Sequence, residues 1–402
     1  MERSVRSSRR SGAGLVVLTI FLVALCLRPA LTSVGPLLPT IGADLGVGEG
    51  TLGGLGTLPL LAFAAVSPLV TRLTSRIGTD RALLLALTVL TVALLARSYT
   101  GVPGLWVGTA VIGAAIAVGN VLVPVIVKRD FGGNVSLATG VYSAFMTVSA
   151  AVASAVSVPI ALAVDWRFAL AVWAALTLVV TLAWLPRALR SRSAPMARPA
   201  DEHKAPIRLW RRPTAWLVTG VMGLQSTTFY VMVNWLPSIE AARGVSEEAA
   251  GVHLFVYIGV GVIGGLVIPL LFRSSGNQVL AGVVASMPMI VGVIGILLAP
   301  GLSLLWVVIA GLGSGASLVV ALSLISIRGR DQHDATRLSG MAQSLGYLLA
   351  AAGPIVAGSL AEATGSWTAT LVAVLVAAVL QLGVAIGAGR PERSGVQPSG
   401  GL

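Results

Sequence analysis

The chain has a single cysteine in 402 residues, Cys26, which excludes a disulfide within the chain and any cysteine-built metal site. Charge is scarce as well: charged residues make up 10% of the chain against 56% hydrophobic ones. Acid is scarcer than base, 15 carboxylates against 27 Lys and Arg, for a net charge of +12. No carboxylate falls inside a long apolar run; Asp44 and Glu362 come nearest, at run ends. Without an intramembrane Asp, Glu, His or Cys pair, the acid–base or nucleophilic machinery of a membrane-embedded enzyme has nothing to be built from. The chain therefore reads as a non-enzyme with no cofactor and no metal. Glycine-rich tracts such as 311–315 lack the Lys-Ser or Lys-Thr ending of a phosphate loop, so no ATP site is legible. The longest polar stretch, 187–212, is too short for a soluble sensor domain.

What the chain has in quantity is apolar runs. Twelve are long enough to cross a bilayer, at about 15–39, 51–71, 82–97, 104–127, 136–160, 167–186, 213–238, 249–272, 278–298, 302–327, 335–362 and 367–388. A helix is the structure that satisfies its own backbone in hydrocarbon, so the expected fold is all-α: a polytopic membrane protein of twelve transmembrane helices. The first run exceeds a signal-peptide core and lacks a small-residue cleavage site, and it is read as retained.

All but four of the Lys and Arg residues sit on one set of alternating loops and on the two tails. Arg97, Arg167 and Arg243 fall at ends of the opposite set, and Arg28 lies within segment 1. That asymmetry predicts both termini on the cytoplasmic side of a bacterial-type inner (plasma) membrane. It also accounts for the net charge with no nucleic acid as partner. The expected partners are the lipid bilayer and a small-molecule substrate, with the chain a monomer.

The loop 187–212, with Pro195, Pro199 and Pro206, divides the segments six and six. The expected organisation is a cytoplasmic tail 1–14, a six-helix bundle 15–186, a cytoplasmic linker 187–212, a second bundle 213–388 and a tail 389–402. Shifting the chain by 198 residues lays Leu38-Pro39 on Leu236-Pro237, Gly46-Val47 on Gly244-Val245, Glu49 on Glu247, Gly53 on Gly251 and Gly78 on Gly276. Ordered matches at equivalent points make the halves parallel, pseudo-symmetric repeats.

Two six-helix halves joined by a basic loop resemble the major facilitator superfamily. The loop 71–81 looks like that family's motif between its second and third helices, with Leu73, Arg76 and Gly78 in place and Arg72 and Arg81 adding charge. It departs from the pattern at Ser75, where the family has an aspartate, and at Thr79-Asp80. The resemblance implies a conformational role for Arg72, Arg76, Gly78 and Arg81, and the missing aspartate removes the carboxylate of the family's charge relay. Three tracts, Leu27-Arg28-Pro29 through Pro39, Gly119-Asn120 through Phe131, and Gly223-Leu224-Gln225-Ser226 with Phe229-Tyr230 and Trp235-Leu236-Pro237, look like the cyanate permease and 2-nitroimidazole transporter group. This implies secondary or facilitated transport of a small anionic or strongly polar solute by alternating access. The alternative is a drug or metabolite exporter of the same superfamily.

Polar residues are confined to particular segments. Arg28 and Thr32 lie in segment 1, Asn120 in 4, Tyr142 in 5, Gln225, Ser226, Tyr230 and Asn234 in 7, Tyr257 in 8, Gln343 and Tyr347 in 11. Segments 3, 6, 9 and 12 hold none of the large polar types apart from Gln381; in the resembled fold these four are outermost. The eleven named residues are the candidate substrate contacts. Arg28 is the anchor, because a guanidinium at mid-depth is costly in lipid and its fork suits planar anions. Arg28, Thr32 and Gly35 are expected on one helical face. The other reading of Arg28 is a tie to carbonyls of a neighbouring helix. His253, near the outer end of segment 8, is the candidate proton-responsive group.

Overall fold

The computed structural model describes residues 19–131, 135–191, 209–272, 277–329 and 332–391. The tail 1–14, most of the linker and most of the C-terminal tail lie outside the described residues. Among the described residues there are twelve apolar helical spans and no strand: α1 (Thr19–Leu45), α2 (Glu49–Leu69), α3 (Thr79–Tyr99), α4 (Gly101–Val127), α5 (Val141–Ala163), α6 (Trp166–Arg190), α7 (Pro213–Ala241), α8 (Glu247–Leu271), α9 (Val279–Leu298), α10 (Pro300–Arg328), α11 (Arg337–Thr364) and α12 (Trp367–Gly389).

The same neighbour relations recur in the two halves. In the first, α3 packs on α4 and α6, α2 on α4, and α1 on α5; in the second, α9 packs on α10 and α12, α8 on α10, and α7 on α11. The turn after the first helix of each half ends in a left-handed residue, Gly46 at φ 62° and Gly244 at φ 87°, a conformation that only glycine adopts freely. These are the two glycines that the 198-residue shift superposes. Large apolar side chains stand exposed along the outer helices, among them Leu85, Val92 and Leu95 on α3, Leu178 and Leu182 on α6, Val284 and Val291 on α9, and Val376 and Leu380 on α12. Such a surface is suited to lipid and not to water.

The halves meet through α1 on α7, α2 on α11 and α5 on α8. Their tightest contacts gather at the end opposite the chain termini. A Cβ at Gly35 would overlap the Val233 carbonyl, and one at Gly53 would lie 2.5 Å from the Pro354 carbonyl. Missing side chains thus let backbones touch, the usual basis of helix association in lipid. The Gly50 amide donates to Glu362 Oε2 at 2.8 Å across the same seam. This end is closed.

Two spans differ from their sequence-based outlines. α1 is helical at 19–26 but breaks at Leu27-Arg28, continues as Pro29–Thr32, tightens into a 3₁₀ turn at Gly35–Leu37, and resumes as Leu38–Leu45. Prolines at positions 29 and 36 lack the amide that would carry the helix through. α7 was expected to end near residue 238, but it runs to Ala241 and takes Glu240 with it, 1% exposed. The inference that no acid lies inside a span is thereby corrected.

Candidate functional site

A cavity of about 560 Å³ lies between the halves, a volume suited to a small solute. Every candidate substrate contact except Gln343 borders it: Arg28, Thr32, Asn120, Tyr142, Gln225, Ser226, Tyr230, Asn234, Tyr257 and Tyr347. The cavity reaches toward the end that carries the termini as far as Pro124, Leu266 and Leu322. No Asp or Glu borders it among the described residues.

Arg28 occupies the break in α1. Its Nη1 lies 3.5 Å from the Tyr230 hydroxyl of α7, a long hydrogen bond across the two halves. Because Pro29 stops the helix behind it, the guanidinium emerges where the backbone is already irregular. Thr32 does not share an open face with it. Its hydroxyl donates to the Ala150 carbonyl of α5 at 2.9 Å and lies 3.3 Å from the Arg28 carbonyl, and the residue is 4% exposed. Gly35 is occupied by the α7 backbone. The expected common face of Arg28, Thr32 and Gly35 is therefore broken, because the segment that carries them is not one continuous helix.

The α7 side chains form a compact polar strip. Gln225 Nε2 donates to Ser226 Oγ at 2.7 Å and to the Met222 carbonyl at 3.2 Å, while Asn234 Nδ2 donates to the Tyr230 carbonyl at 2.7 Å. Rings complete the wall: Phe229 lies edge-on to Tyr230 at 5.1 Å and near-parallel to Tyr257 at 6.4 Å, and Tyr347 meets Phe63 edge-on at 6.0 Å. Gln343 stands apart, donating to Ser339 Oγ at 2.7 Å on its own helix. Gln381 is likewise structural, joining α12 to Ser286 of α9 and Ser317 of α10. Trp235, with no exposed surface, donates to the Pro354 carbonyl at 2.8 Å and belongs to the core.

Three buried charged groups were missed by sequence reasoning. Arg97, taken for an outer-end charge, is 1% exposed, donates from Nη1 to the Ala30 carbonyl at 2.8 Å and borders the cavity. The signal that points to it is Gly108: a Cβ there would lie 2.8 Å from Arg97 Cα, so glycine lets α3 press against α4. Glu240 is the second, with its Oε2 2.6 Å from His253 Nδ1, while Ser303 Oγ lies 3.5 Å from the same nitrogen. His253 is outside the cavity lining and faces Glu240.

The third is Asp80. Its carboxylate receives both terminal nitrogens of Arg129 at 2.9 Å, Arg187 Nε at 2.8 Å and Ser191 Oγ at 2.9 Å, and Arg187 also pairs with Asp130. The hydrogen bonds to Asp80 hold the Arg129 guanidinium above the usual arginine range. Gly78, at φ 83°, turns the chain into α3 and sets Asp80 in its first turn, while Arg72, Arg76 and Arg81 are exposed. The ionic cluster of this end is thus built on Asp80, although Ser75 replaces the aspartate of the loop.

The family model described as Major Facilitator Superfamily matches residues 20–354. A 2-nitroimidazole transporter of Escherichia coli (strain K12) is 37% identical over 390 residues, covering 96% of this chain and 98% of that one. A transporter of Bacillus subtilis (strain 168), YycB, is 38% identical, covering 92% of each. The cyanate transport protein CynX of Escherichia coli (strain K12) is 25% identical, covering 88% of this chain and 91% of its own. Among solved structures, the nucleoside transporter NupG superposes with a TM-score of 0.77 at 12% identity, over 93% of this chain and all of that one. A bacterial homolog of the lysosomal transporter Spinster, captured inward-facing and unoccupied, gives 0.73 at 15% identity, over 94% and 97%. At those identities the two structures show the fold alone.

Proposed function

The chain belongs to the major facilitator superfamily, and we propose that it carries a small anionic or strongly polar solute across the membrane by alternating access, with Arg28 as electrostatic anchor. One observation carries this reading. The cavity between the halves has a guanidinium in its wall and no carboxylate among the described residues to neutralise it. A buried cation without a counter-ion favours an anion or a strong acceptor in its place. Tyr230, Asn234, Gln225 and Asn120 supply the further hydrogen bonds that orient a planar solute. The names of the relatives point the same way, since cyanate is a small anion and a nitroimidazole carries acceptor oxygens.

The closed end and the cavity beside it correspond to one state of an alternating-access cycle. With the termini in the cytoplasm, as the basic loops indicate, that state faces the cytoplasm. Gradients of solute or ion then drive transport, and the Glu240–His253 pair is the group we assign to proton coupling.

Drug or metabolite efflux is the second reading, favoured by the apolar wall of Leu266, Leu318, Val319 and Leu322. Uptake of a panel of small anions and nitro-heterocycles into vesicles with imposed pH and voltage gradients separates the two. Saturable anion uptake that Arg28→Ala abolishes is the expected result. Transport of lipophilic cations, with no anion moved, would overturn the anion reading.

A further inference from the structure

We infer that Arg97 is a second cationic contact for the transported solute, so that the site takes an aromatic oxyanion bearing a second acceptor group in preference to a compact monoanion. The inference rests on the anion-carrier reading above and narrows its substrate class.

The sequence of events that brings Arg97 to the site is local and physical. The α1 backbone tightens after Thr32, and the Val34 amide turns to the Leu31 carbonyl, which leaves the Ala30 carbonyl without its helical donor. Arg97 Nη1 takes that carbonyl at 2.8 Å, reaching it from α3 because Gly108 lets α3 lie against α4. One N–H out of five is thereby engaged.

The rest of the guanidinium is what calls for a ligand. Arg97 is 1% exposed, and its Nε and Nη2 have no hydrogen-bond partner among the described residues. A peg for one carbonyl needs no permanent charge; a neutral glutamine amide would donate to such an oxygen at a smaller desolvation cost. A buried guanidinium with three idle N–H groups is explained by an acceptor that arrives from elsewhere. Arg97 borders the same cavity as Arg28, and no described carboxylate borders it with them. The cavity wall thus holds two fixed positive charges.

Two cations favour two acceptor groups, and a monoanion would leave one guanidinium dry. The ring faces set the shape of what joins them. Phe229 and Tyr257 lie near-parallel at an interplanar angle of 22°, with Tyr142, Tyr230 and Tyr347 around them. Such walls accept a flat ring, on which two acceptors are held at fixed separation without an entropy cost on binding.

Binding to the full-length protein in nanodiscs tests this with three probes built on one benzene ring: benzoate, terephthalate and benzamide. Wild type is expected to bind terephthalate about tenfold or more tightly than benzoate, with benzamide weakest, as one additional charge-assisted hydrogen-bonded contact implies. Arg97→Gln is expected to bring terephthalate down to the benzoate level and leave benzoate within about threefold of wild type. Arg28→Gln is expected to weaken both. An unchanged terephthalate-to-benzoate ratio in Arg97→Gln would overturn the inference and make Arg97 a structural peg. Should Arg97→Gln fail to fold, Arg97→Lys decides: it keeps the charge but loses the fork, so the ratio falls if the inference holds and persists if it does not. Benzoate bound in an Arg28-dependent way with no terephthalate preference sinks the Arg97 inference alone. Failure of wild type to bind either carboxylate sinks the anion-carrier reading with it.

Discussion

Glu240 and His253 face each other across the end of α7 and the start of α8, with Oε2 and Nδ1 2.6 Å apart and Glu240 1% exposed. Arg243 lies beside them, held on the Ile296 carbonyl, where burial lowers its proton affinity, and Ser303 approaches from the start of α10. A carboxylate and an imidazole sharing a hydrogen bond away from water bind or release a proton as one coupled unit.

If this pair couples transport to protons, wild-type uptake depends on an imposed pH gradient. Acidifying the loading side is expected to raise uptake. Glu240→Gln removes the carboxylate that His253 faces, and a flat pH profile should result. Retention of the wild-type profile in both Glu240→Gln and His253→Gln would remove the pair from coupling. Initial rates in proteoliposomes at stepped external pH supply the measurement.

Arg28 anchors the solute in the proposed mechanism, and its fork matters as well as its charge. Arg28→Ala is expected to reduce transport by about 10- to 100-fold, the worth of a hydrogen bond to a charged group in a dry site. Arg28→Lys keeps the charge and should recover only part of the loss. Tyr230→Phe removes the long 3.5 Å contact to Arg28 together with the hydroxyl offered to the solute, and is expected to cost about 2- to 10-fold. Full activity in both Arg28 variants would leave Arg28 with the helix-tying role instead.

Gly35→Ala places a methyl group on the Val233 carbonyl and so opposes closure of the end opposite the termini. Overpacking of this kind costs about 1–3 kcal/mol, and here only in the closed state. The conformational equilibrium should shift toward opening of that end. Thiol labelling at a cysteine introduced near Trp235, in a chain whose own Cys26 is replaced, should speed up several-fold. An unchanged labelling rate would show that the seam accommodates the methyl group.

Asp80→Asn leaves Arg129 and Arg187 facing an amide. The Asp80 side chain is 3% exposed but Arg129 is 41% exposed, so the penalty falls below that of a fully buried pair, at about 2 kcal/mol. A lower unfolding temperature in detergent is the expected outcome. Adding a carboxylate by Ser75→Asp should not restore stability, because Ser75 donates to the Arg72 carbonyl and does not stand with Arg129, Arg187 and Ser191 around Asp80.

The number of spans, the repeat and the outward placement of α3, α6, α9 and α12 follow from the sequence. Each depends on a property that a segment carries by itself: an apolar run must satisfy its own backbone in hydrocarbon, and a glycine such as Gly46 or Gly244 turns the chain wherever it stands. The candidate contacts on α1, α4, α5, α7, α8 and α11 were legible for the same reason, since a polar group within a span has to face protein or water. What only the tertiary structure decided is which groups meet. Arg97 and Glu240 each lie at a span end, where hydropathy cannot tell a surface charge from a buried one. Arg97 is buried against the Ala30 carbonyl, left free where the Val34 amide turns to Leu31, and Gly108 lets α3 press against α4. Glu240 is buried because α7 continues past Pro237 against the start of α8. Asp80 gathers partners from α6 and the end of α4, which come together only when the helices pack. Arg28 was conspicuous in the sequence as a charge inside a span; the fold adds a second cation at the cavity wall and no described carboxylate to neutralise either.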